Sequence, residues 1–255
     1  MTVAWLCESV RLTALWGTPD DVSKLLTWNA IIGSDPEQQE TQPRIHTVRE
    51  VGAIWDGSAS LEFRASPGRA DWIVAPVIPA DIQLATWPNL GRVEEIAERF
   101  SEFIFGAVAR VYSAPRFAFG LIALHPQPSR EASYAELTNL LRISSLQREG
   151  ASDFVYQINR ARPSKSVPGL SINRVSRWAS VVSQGLRMQF SMSPVGVADG
   201  AVASTQTPPT HATRAELDMN TAADRRDPIP ATGRAPLLRE LAGLSLELLE
   251  TGDVP

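Results

Sequence analysis

The pattern of apolar and polar residues is most regular between Arg92 and Val111, where it has the period of an α-helix. Apolar residues recur three or four positions apart, and acidic residues occupy many of the positions between them. Pro115 then disfavours a helix at the residue before it, and the apolar run Arg116–Leu124 is long enough to form a buried central strand. A helix and a strand of this kind need a sheet to pack on. The apolar helical positions are Val93, Ile96, Ala97, Phe100, Ile104, Ala107, Val108 and Val111.

Shorter apolar runs, separated by turn residues, predict further strands on both sides of this stretch. Asp56-Gly57 between two such runs is a strong hairpin signal. The predicted strands cover residues 3–16, 45–51, 53–55, 60–65, 71–77, 154–162, 170–182, 185–192 and 215–220, and the other predicted helices cover 19–32, 134–146 and 237–249. Residues 33–44 are polar and are predicted to be irregular.

The two parts of the chain have a similar order of predicted elements, although no residue-level repeat is visible. We predict an α+β protein of two consecutive antiparallel-sheet units with packed helices, an order that favours a duplicated unit. The predicted units cover residues 1–125 and 126–255, and they share an interface centred on residues 92–124. Residues 193–213 are low in complexity and charge, which predicts an exposed, flexible loop.

The composition is that of an ordinary soluble globular chain. Of its 255 residues, 44% are hydrophobic and 20% are charged, and the formal net charge of -4 provides no global attraction to nucleic acid or to an anionic membrane. No stretch reaches the about 18 apolar residues of a transmembrane helix, and residues 1–6 lack the features of a signal peptide. We therefore expect a cytoplasmic protein that does not bind membranes.

Motifs with known catalytic chemistry are absent from the sequence. His46, His125 and His211 are far apart and none has a metal-ligand spacing, and there is no phosphate-binding glycine loop, G-x-S-x-G or H-E-x-x-H. Cys7, the single cysteine, lies in an apolar run, so we interpret it as a buried hydrophobe rather than a nucleophile. The sequence predicts no cofactor and no catalytic residue.

One acidic constellation could bind a metal. Glu216 and Asp218 are two positions apart on a predicted strand, so they project from the same face, and Asp224 and Asp227 follow in the next turn. Convergent carboxylates of this kind can hold Mg²⁺. The alternative interpretation is a solvated strand face, which the arginines between the later acids favour.

A second constellation is basic and lies between residues 151 and 185, where Asp153 is the single acid. Together with the aromatic side chains of Tyr156 and Trp178, its cations could form a ribbon that binds phosphates or an acidic protein surface. The alternative is intramolecular pairing or ordinary surface exposure. The ribbon would consist of Arg160, Arg162, Lys165, Arg174 and Arg177.

Six of the seven tryptophans lie in the first 90 residues. Aromatic side chains bury large areas in cores and are also enriched at interfaces, so most of them are expected in the core. Trp87 is different because it lies in a short segment that ends at Pro88. We predict that Trp87 lines a surface groove or contacts a partner.

Residues 57–72 carry a resemblance to a known family. Together with the strand at residues 216–220 and the Leu-rich last helix, this segment resembles a sporadically distributed bacterial family of about 250 residues with no assigned activity. The element order of an antiparallel sheet closed by a C-terminal helix is also similar to that of SecB-like chaperones, by topology alone. The resemblance implies no catalytic residues. Its motifs are the strand Leu61-Glu62-Phe63, the turn Pro67-Gly68-Arg69 and the strand Asp71-Trp72.

These observations favour a non-enzymatic binding or interaction protein that forms part of a multi-protein assembly. Its expected partner is another protein, and a homo-oligomer is compatible with the sequence. The first alternative is a metal-dependent hydrolase or nuclease that uses Glu216 and Asp218. The second is a nucleic-acid-binding protein that uses the basic ribbon at residues 160–177.

Overall fold

The computed structural model describes residues 4–16, 28–78, 87–111, 113–142, 153–183, 186–189, 203–206 and 208–253. The strands are β1 Leu6–Leu15, β2 Gln38–Gln42, β3 Thr47–Ile54, β4 Ala59–Ser66, β5 Arg69–Pro76, β6 Arg116–Gln127, β7 Val155–Asn159, β8 Arg162–Pro163, β9 Ser171–Ser183, β10 Leu186–Gln189, β11 Ala203–Gln206 and β12 Thr210–Thr221. The helices are α1 Trp28–Ile32, α2 Val93–Phe100, α3 Gly106–Val111, α4 Arg130–Leu141 and α5 Ala231–Thr251, and a π-helical turn, Ser101–Phe105, joins α2 to α3.

Ten of these strands form one antiparallel sheet, in the order β2-β3-β4-β5-β1-β6-β12-β9-β7, with β8 paired to β9. Counted outward from the centre of the sheet, the first half has the strands β1, β5, β4 and β3. The second half has β6, β12, β9 and β7, so in each half the first strand of the chain is central and the last strand lies next to it. Each half consists of a strand, a helix, a set of further strands and a closing helical segment. The α+β fold with antiparallel sheet units is therefore confirmed, and the two halves join edge to edge at β1 and β6.

The predicted division after residue 125 falls inside β6, and the sheet is continuous there. β6 pairs with β1 on one side and with β12 on the other, so it belongs to the hydrogen-bonded structure of both halves. Separate domains at residues 1–125 and 126–255 stay a prediction. The second series of strand, helix, further strands and helix begins with β6.

The helices cover one face of the sheet. α2 contacts β1, α4 contacts β9, β12 and β6, and α5 contacts β12 and β6, while Trp28 of α1 lies against Gly52 of β3. Alternate strand residues point to this face and are buried, because successive side chains of a strand point to opposite sides. Phe63 and Trp72, for example, stack in this core with their ring centroids 4.3 Å apart.

Most predicted elements are present, with the expected differences at their ends. The helix predicted from Arg92 to Val111 is confirmed apart from its π-helical turn, and Asp56-Gly57 does close the β3–β4 hairpin. The prediction that residues 33–44 are irregular is wrong, because β2 forms there as an edge strand paired with β3. β6 also continues to Gln127, three residues past the end of the predicted run Arg116–Leu124.

The predicted loop at residues 193–213 is wrong at its end, where β12 begins at Thr210. Ala212 and Thr213 are fully buried there, since β6 and β9 supply hydrogen-bonding partners on both sides. β11 forms at residues 203–206, and residues 190–202 and 207 lie outside the described residues. The same is true of residues 17–27 and 143–150, which held parts of two predicted helices.

The helices in the described part of the chain are all too short or too polar to span a lipid bilayer.

Candidate functional site

The sheet face opposite the helices, which we call the open face, carries three of the candidate residues, Arg177, Glu216 and Asp218. Arg11 of β1 is directly opposite Gly120 of β6, which in turn is opposite Asp218 of β12. Side chains at directly paired positions point to the same side of a sheet. The centre of the open face, where the two halves of the chain join, is therefore charged.

Arg11 connects the two halves across Gly120. Its Nη2 atom lies 3.3 Å from Oδ2 of Asp218, and its Nε atom lies 4.0 Å from Oδ1 of Asp71 on β5. A Cβ atom at Gly120 would lie only 3.3 Å from both nitrogens of Arg11. The glycine thus leaves space for the guanidinium group of Arg11 next to β6.

Glu216 and Asp218 share the open face, as predicted, and both are paired with arginines. Glu216 accepts hydrogen bonds from Arg177, at 3.2 Å, and from Arg214, which also donates to Glu8 at 2.8 Å. The described residues contain no group of three His, Cys, Asp or Glu side chains that could hold a metal ion. A Mg²⁺ ion at Glu216 and Asp218 would have to displace these arginines, because their guanidinium groups occupy the carboxylate oxygens.

Beside these ion pairs lies a concave region of about 360 Å³, which we call the central cleft. Apolar side chains of three strands line it, namely Ile73, Ile122 and Val175. The charged side chains that line it are between 31% and 45% exposed, so a bound molecule can reach them. These charged residues are Arg11, Arg177, Glu216 and Asp218.

The five residues of the predicted basic ribbon do not form one surface. Arg177 is on the open face, opposite Glu216, whereas Arg174 lies on the helical face opposite the buried Met219. Lys165 is exposed and its backbone N–H donates to Glu240 at 2.7 Å. The structure therefore separates the cations that nucleic-acid binding would need to combine.

Three arginines of the ribbon pair with carboxylates at the C-terminal end of α5 or just after it. Arg162 donates two hydrogen bonds to Glu247, at 2.9 and 3.2 Å, and Nη2 of Arg174 lies 3.8 Å from the same carboxylate. Arg160 donates to Asp253 at 2.7 and 3.0 Å. These pairs match the intramolecular alternative that we considered for the ribbon.

Asp253 is a structural residue that sequence reasoning missed. Burial raises the pKa of its carboxyl group, but the hydrogen bonds from Arg160 and from the hydroxyl of Tyr156 outweigh burial and hold the pKa below its usual value. Its backbone N–H donates to the carbonyl of Leu140 at the end of α4. We call residues 252 and 253 the C-terminal latch. No local pattern in the sequence marks it, because its partners are distant in sequence.

Trp87 lines a second concave region, of about 370 Å³, at the end of β6 and the start of β12. We call it the Trp87 groove. Leu6, Pro126 and Pro209 supply its other apolar walls, and its four polar lining residues include Gln127 and His211. Trp87 is half-buried, and that it contacts a partner stays a prediction.

Near this groove, His125 is held in a polar cluster. Its Nδ1 atom lies 2.6 Å from Oε1 of Glu136 and 2.8 Å from the side-chain amide of Gln127.

Cys7 is buried, and burial together with the nearby Glu8 carboxylate raises the pKa of its thiol to about 12. Cys7 is therefore protonated and inaccessible at neutral pH, a state in which it is not nucleophilic.

Scans against protein-family models, curated proteins and solved structures found no match to this chain.

Proposed function

We propose that the protein is a non-enzymatic binding protein that docks a partner protein on the open face of its sheet. The single observation that supports this proposal most is that two clefts of about 360 Å³ each lie on the same open face. One is the central cleft. The other is lined by charged residues of β2 to β5, including Glu40, Arg49 and Arg69. A surface that extends over so many strands suits a protein better than a small ligand.

The charges of the open face also favour a protein partner. Arginines and carboxylates alternate across it, so that it has no strong net charge. Polar interfaces with both signs of charge are typical of specific, non-obligate protein complexes, in which complementary charges select the partner. The main pairs are Arg49–Glu62, Arg69–Asp71, Arg11–Asp218, Arg177–Glu216 and Arg214–Glu8.

The test compares proteins captured from the native host by the wild type and by two charge-reversal variants. Arg177→Glu changes the open face, and Arg239→Glu makes the same change at an exposed position of α5 on the helical side. We expect a specific partner to be reduced about tenfold or more with Arg177→Glu and to be retained with Arg239→Glu. Both variants should keep the circular dichroism spectrum of the wild type, and Arg177→Glu should melt slightly earlier because it places a like charge opposite Glu216.

The proposal fails if both variants capture the same proteins in the same amounts, or if the wild type captures nothing above a tag-only control. Light scattering of the purified protein identifies the case in which the partner is a second copy of the chain. In that case Arg177→Glu should shift the dimer to monomer, and Arg239→Glu should not.

The two alternative functions have less support from the geometry. A metal-dependent hydrolase would need the arginines to leave Glu216 and Asp218, and titration calorimetry with Mg²⁺ tests this directly. Nucleic-acid binding would need the separated cations of the predicted ribbon to act together. It predicts an affinity that falls steeply with salt concentration.

A further inference from the structure

We propose that the outer strand β7 is a dimerisation edge, which pairs antiparallel with β7 of a second copy of the chain. This pairing joins two ten-stranded sheets into one continuous sheet. The interface lies along the edge of the sheet, so it does not depend on a partner that docks on the open face.

The two outer strands of the sheet, β2 and β7, differ in their chemistry. β2 carries Glu40 at its centre and is followed directly by Pro43, and charges and prolines are common protections of a sheet edge against pairing. The segment 154–159, Phe-Val-Tyr-Gln-Ile-Asn, has no charge and no proline, and it is rich in β-branched and aromatic side chains. Such a composition favours the pairing of strands, so β7 is the unprotected edge.

The register of β7 determines which of its backbone groups face away from the sheet. The backbone N–H of Arg160 donates to the carbonyl of Arg174, so residue 160 turns its backbone towards β9. The register is unbroken from β7 to β8, and in an antiparallel ladder successive residues turn their backbone groups to opposite sides. Tyr156 and Ile158 therefore also face β9. The residues whose N–H and C=O groups face the free side are Val155, Gln157 and Asn159.

Among the described residues, no strand pairs with this free side of β7. Each of its three outward residues thus presents one hydrogen-bond donor and one acceptor to a further strand. The side chain of Val155 is 54% exposed at the same place, which is unusual for a large apolar residue in a strand. A strand added along β7 would satisfy the backbone groups and cover this side chain.

The residues of β7 are complementary to a second β7 that runs antiparallel to it. When a two-fold axis passes beside Gln157, this residue lies opposite Gln157 of the second copy, and Val155 lies opposite its Asn159. Outward residues then meet outward residues and exchange backbone hydrogen bonds. Tyr156 meets Ile158 of the second copy, which is a favourable aromatic–β-branched pair. The two Gln157 amides both donate and accept, so they are able to bind each other on the axis.

This self-complementarity favours a second copy over a strand of another protein, which would need no such symmetry. No charged side chain of β7 lies opposite its own copy in this arrangement. The corresponding pairing of β2 would place two Glu40 carboxylates opposite each other, which is destabilising. A two-fold axis perpendicular to the sheet also keeps both helical layers on the same side of the continuous sheet.

Sedimentation velocity of the 255-residue chain over an about 100-fold range of concentration tests the proposal. We expect the wild type to show a monomer–dimer equilibrium. Gln157→Pro removes an N–H that faces away from β9, so it should leave β7 in place and raise the dimer Kd at least about tenfold. Gln157→Lys, which places like charges on the axis, should raise the Kd similarly without constraining the backbone. Gln38→Lys makes the same change at the exposed edge β2 and should leave the Kd unchanged.

A disulfide across the two-fold axis tests the register. Directly opposite residues of a hydrogen-bonded pair have Cα atoms about 5.5 Å apart, a distance that a disulfide bridges. With the oxidant diamide, Gln157→Cys should form disulfide-linked dimers at least about tenfold faster than Gln38→Cys. Cys7 is buried and should not contribute to this reaction.

A wild type that stays monomeric at all concentrations would overturn the proposal, as would Gln157→Pro and Gln157→Lys variants that dimerise normally, or equal cross-linking of the two cysteine variants. Arg177→Glu should leave this dimer intact, because Arg177 lies on β9, one strand in from the edge. A dimer that Arg177→Glu dissolves and Gln157→Pro retains belongs to the open face, and this result would also refute pairing through β7. A monomer whose capture of a host protein is lost with Gln157→Pro would assign the edge to that protein instead.

Discussion

Replacing Gly252 by alanine tests the C-terminal latch. Gly252 has φ 73° and ψ -165°, a backbone conformation that is almost exclusive to glycine and costs other residues about 1–3 kcal/mol. In addition, a Cβ atom at this position would lie 2.7 Å from the carbonyl carbon of Leu140 and closer still to its carbonyl oxygen. These backbone atoms belong to the packed end of α4 and cannot move away as a flexible side chain can.

The expected loss of stability follows from the hydrogen bonds that break when residues 252 and 253 leave their site. If an alanine side chain cannot fit at this position, residues 252 and 253 leave their site, and Asp253 loses its hydrogen bonds from Arg160 and Tyr156. Hydrogen bonds to a charged group contribute about 1.5–3 kcal/mol each. However, Arg160 is one-third exposed and is rehydrated when the latch opens. We therefore expect Gly252→Ala to lower the free energy of unfolding by about 2–4 kcal/mol.

Thermal and urea unfolding, followed by circular dichroism, measure this loss. Gly243→Ala is the matched control, because Gly243 is an exposed position of α5 with nothing within 4 Å of its Cβ site. Alanine should stabilise the helix there by about 0.5–1 kcal/mol. A chain that ends at Thr251 gives the maximum loss that opening the latch can cause. A Gly252→Ala protein as stable as the wild type, or clearly less stable than the truncated chain, would refute the expected opening of the latch.

Three further predictions concern Asp253, Cys7 and Ser129. Asp253→Asn should lower the melting temperature at pH 7, and this difference should shrink as the pH falls below about 4. The reason is that a carboxyl group with a lowered pKa in the folded state contributes its stabilisation above the unfolded pKa and loses it as the pH falls through the folded pKa. The thiol of Cys7, whose pKa burial raises to about 12, should react with Ellman's reagent at pH 8 at least about 100-fold more slowly in the native protein than in guanidinium chloride. Equal rates would show that Cys7 is accessible. Ser129→Ala should cost about 1 kcal/mol in urea unfolding, because the Ser129 hydroxyl accepts the N–H of Ala132 and caps α4. No change would mean that this cap is replaced by water.

Local patterns predicted the elements whose cause is local. The apolar spacing from Val93 to Val111 and the Asp56-Gly57 turn both correspond to structure, since a helix face and a hairpin turn depend on neighbouring residues. β2 and the start of β12 could not be predicted in this way. Their residues are polar or small, and they are strands because β3, or β6 together with β9, supplies hydrogen-bonding partners.

The candidate sites show the same distinction. The period of two places Glu216 and Asp218 on one strand face, and the structure agrees. Their pairing with Arg177 and Arg11 could not be anticipated, because 39 and 207 residues separate the partners. For the same reason, the ribbon predicted from closely spaced arginines was divided between the two faces of the sheet.

The sequence by itself determined that this is an α+β protein with antiparallel strands, a long amphipathic helix and no recognisable catalytic motif, because periodicity, turn residues and motifs are properties of short segments. The tertiary structure alone decided that two halves form one sheet, which face the helices cover and which charges meet on the other face. These features depend on strand partners that are brought together from distant parts of the chain.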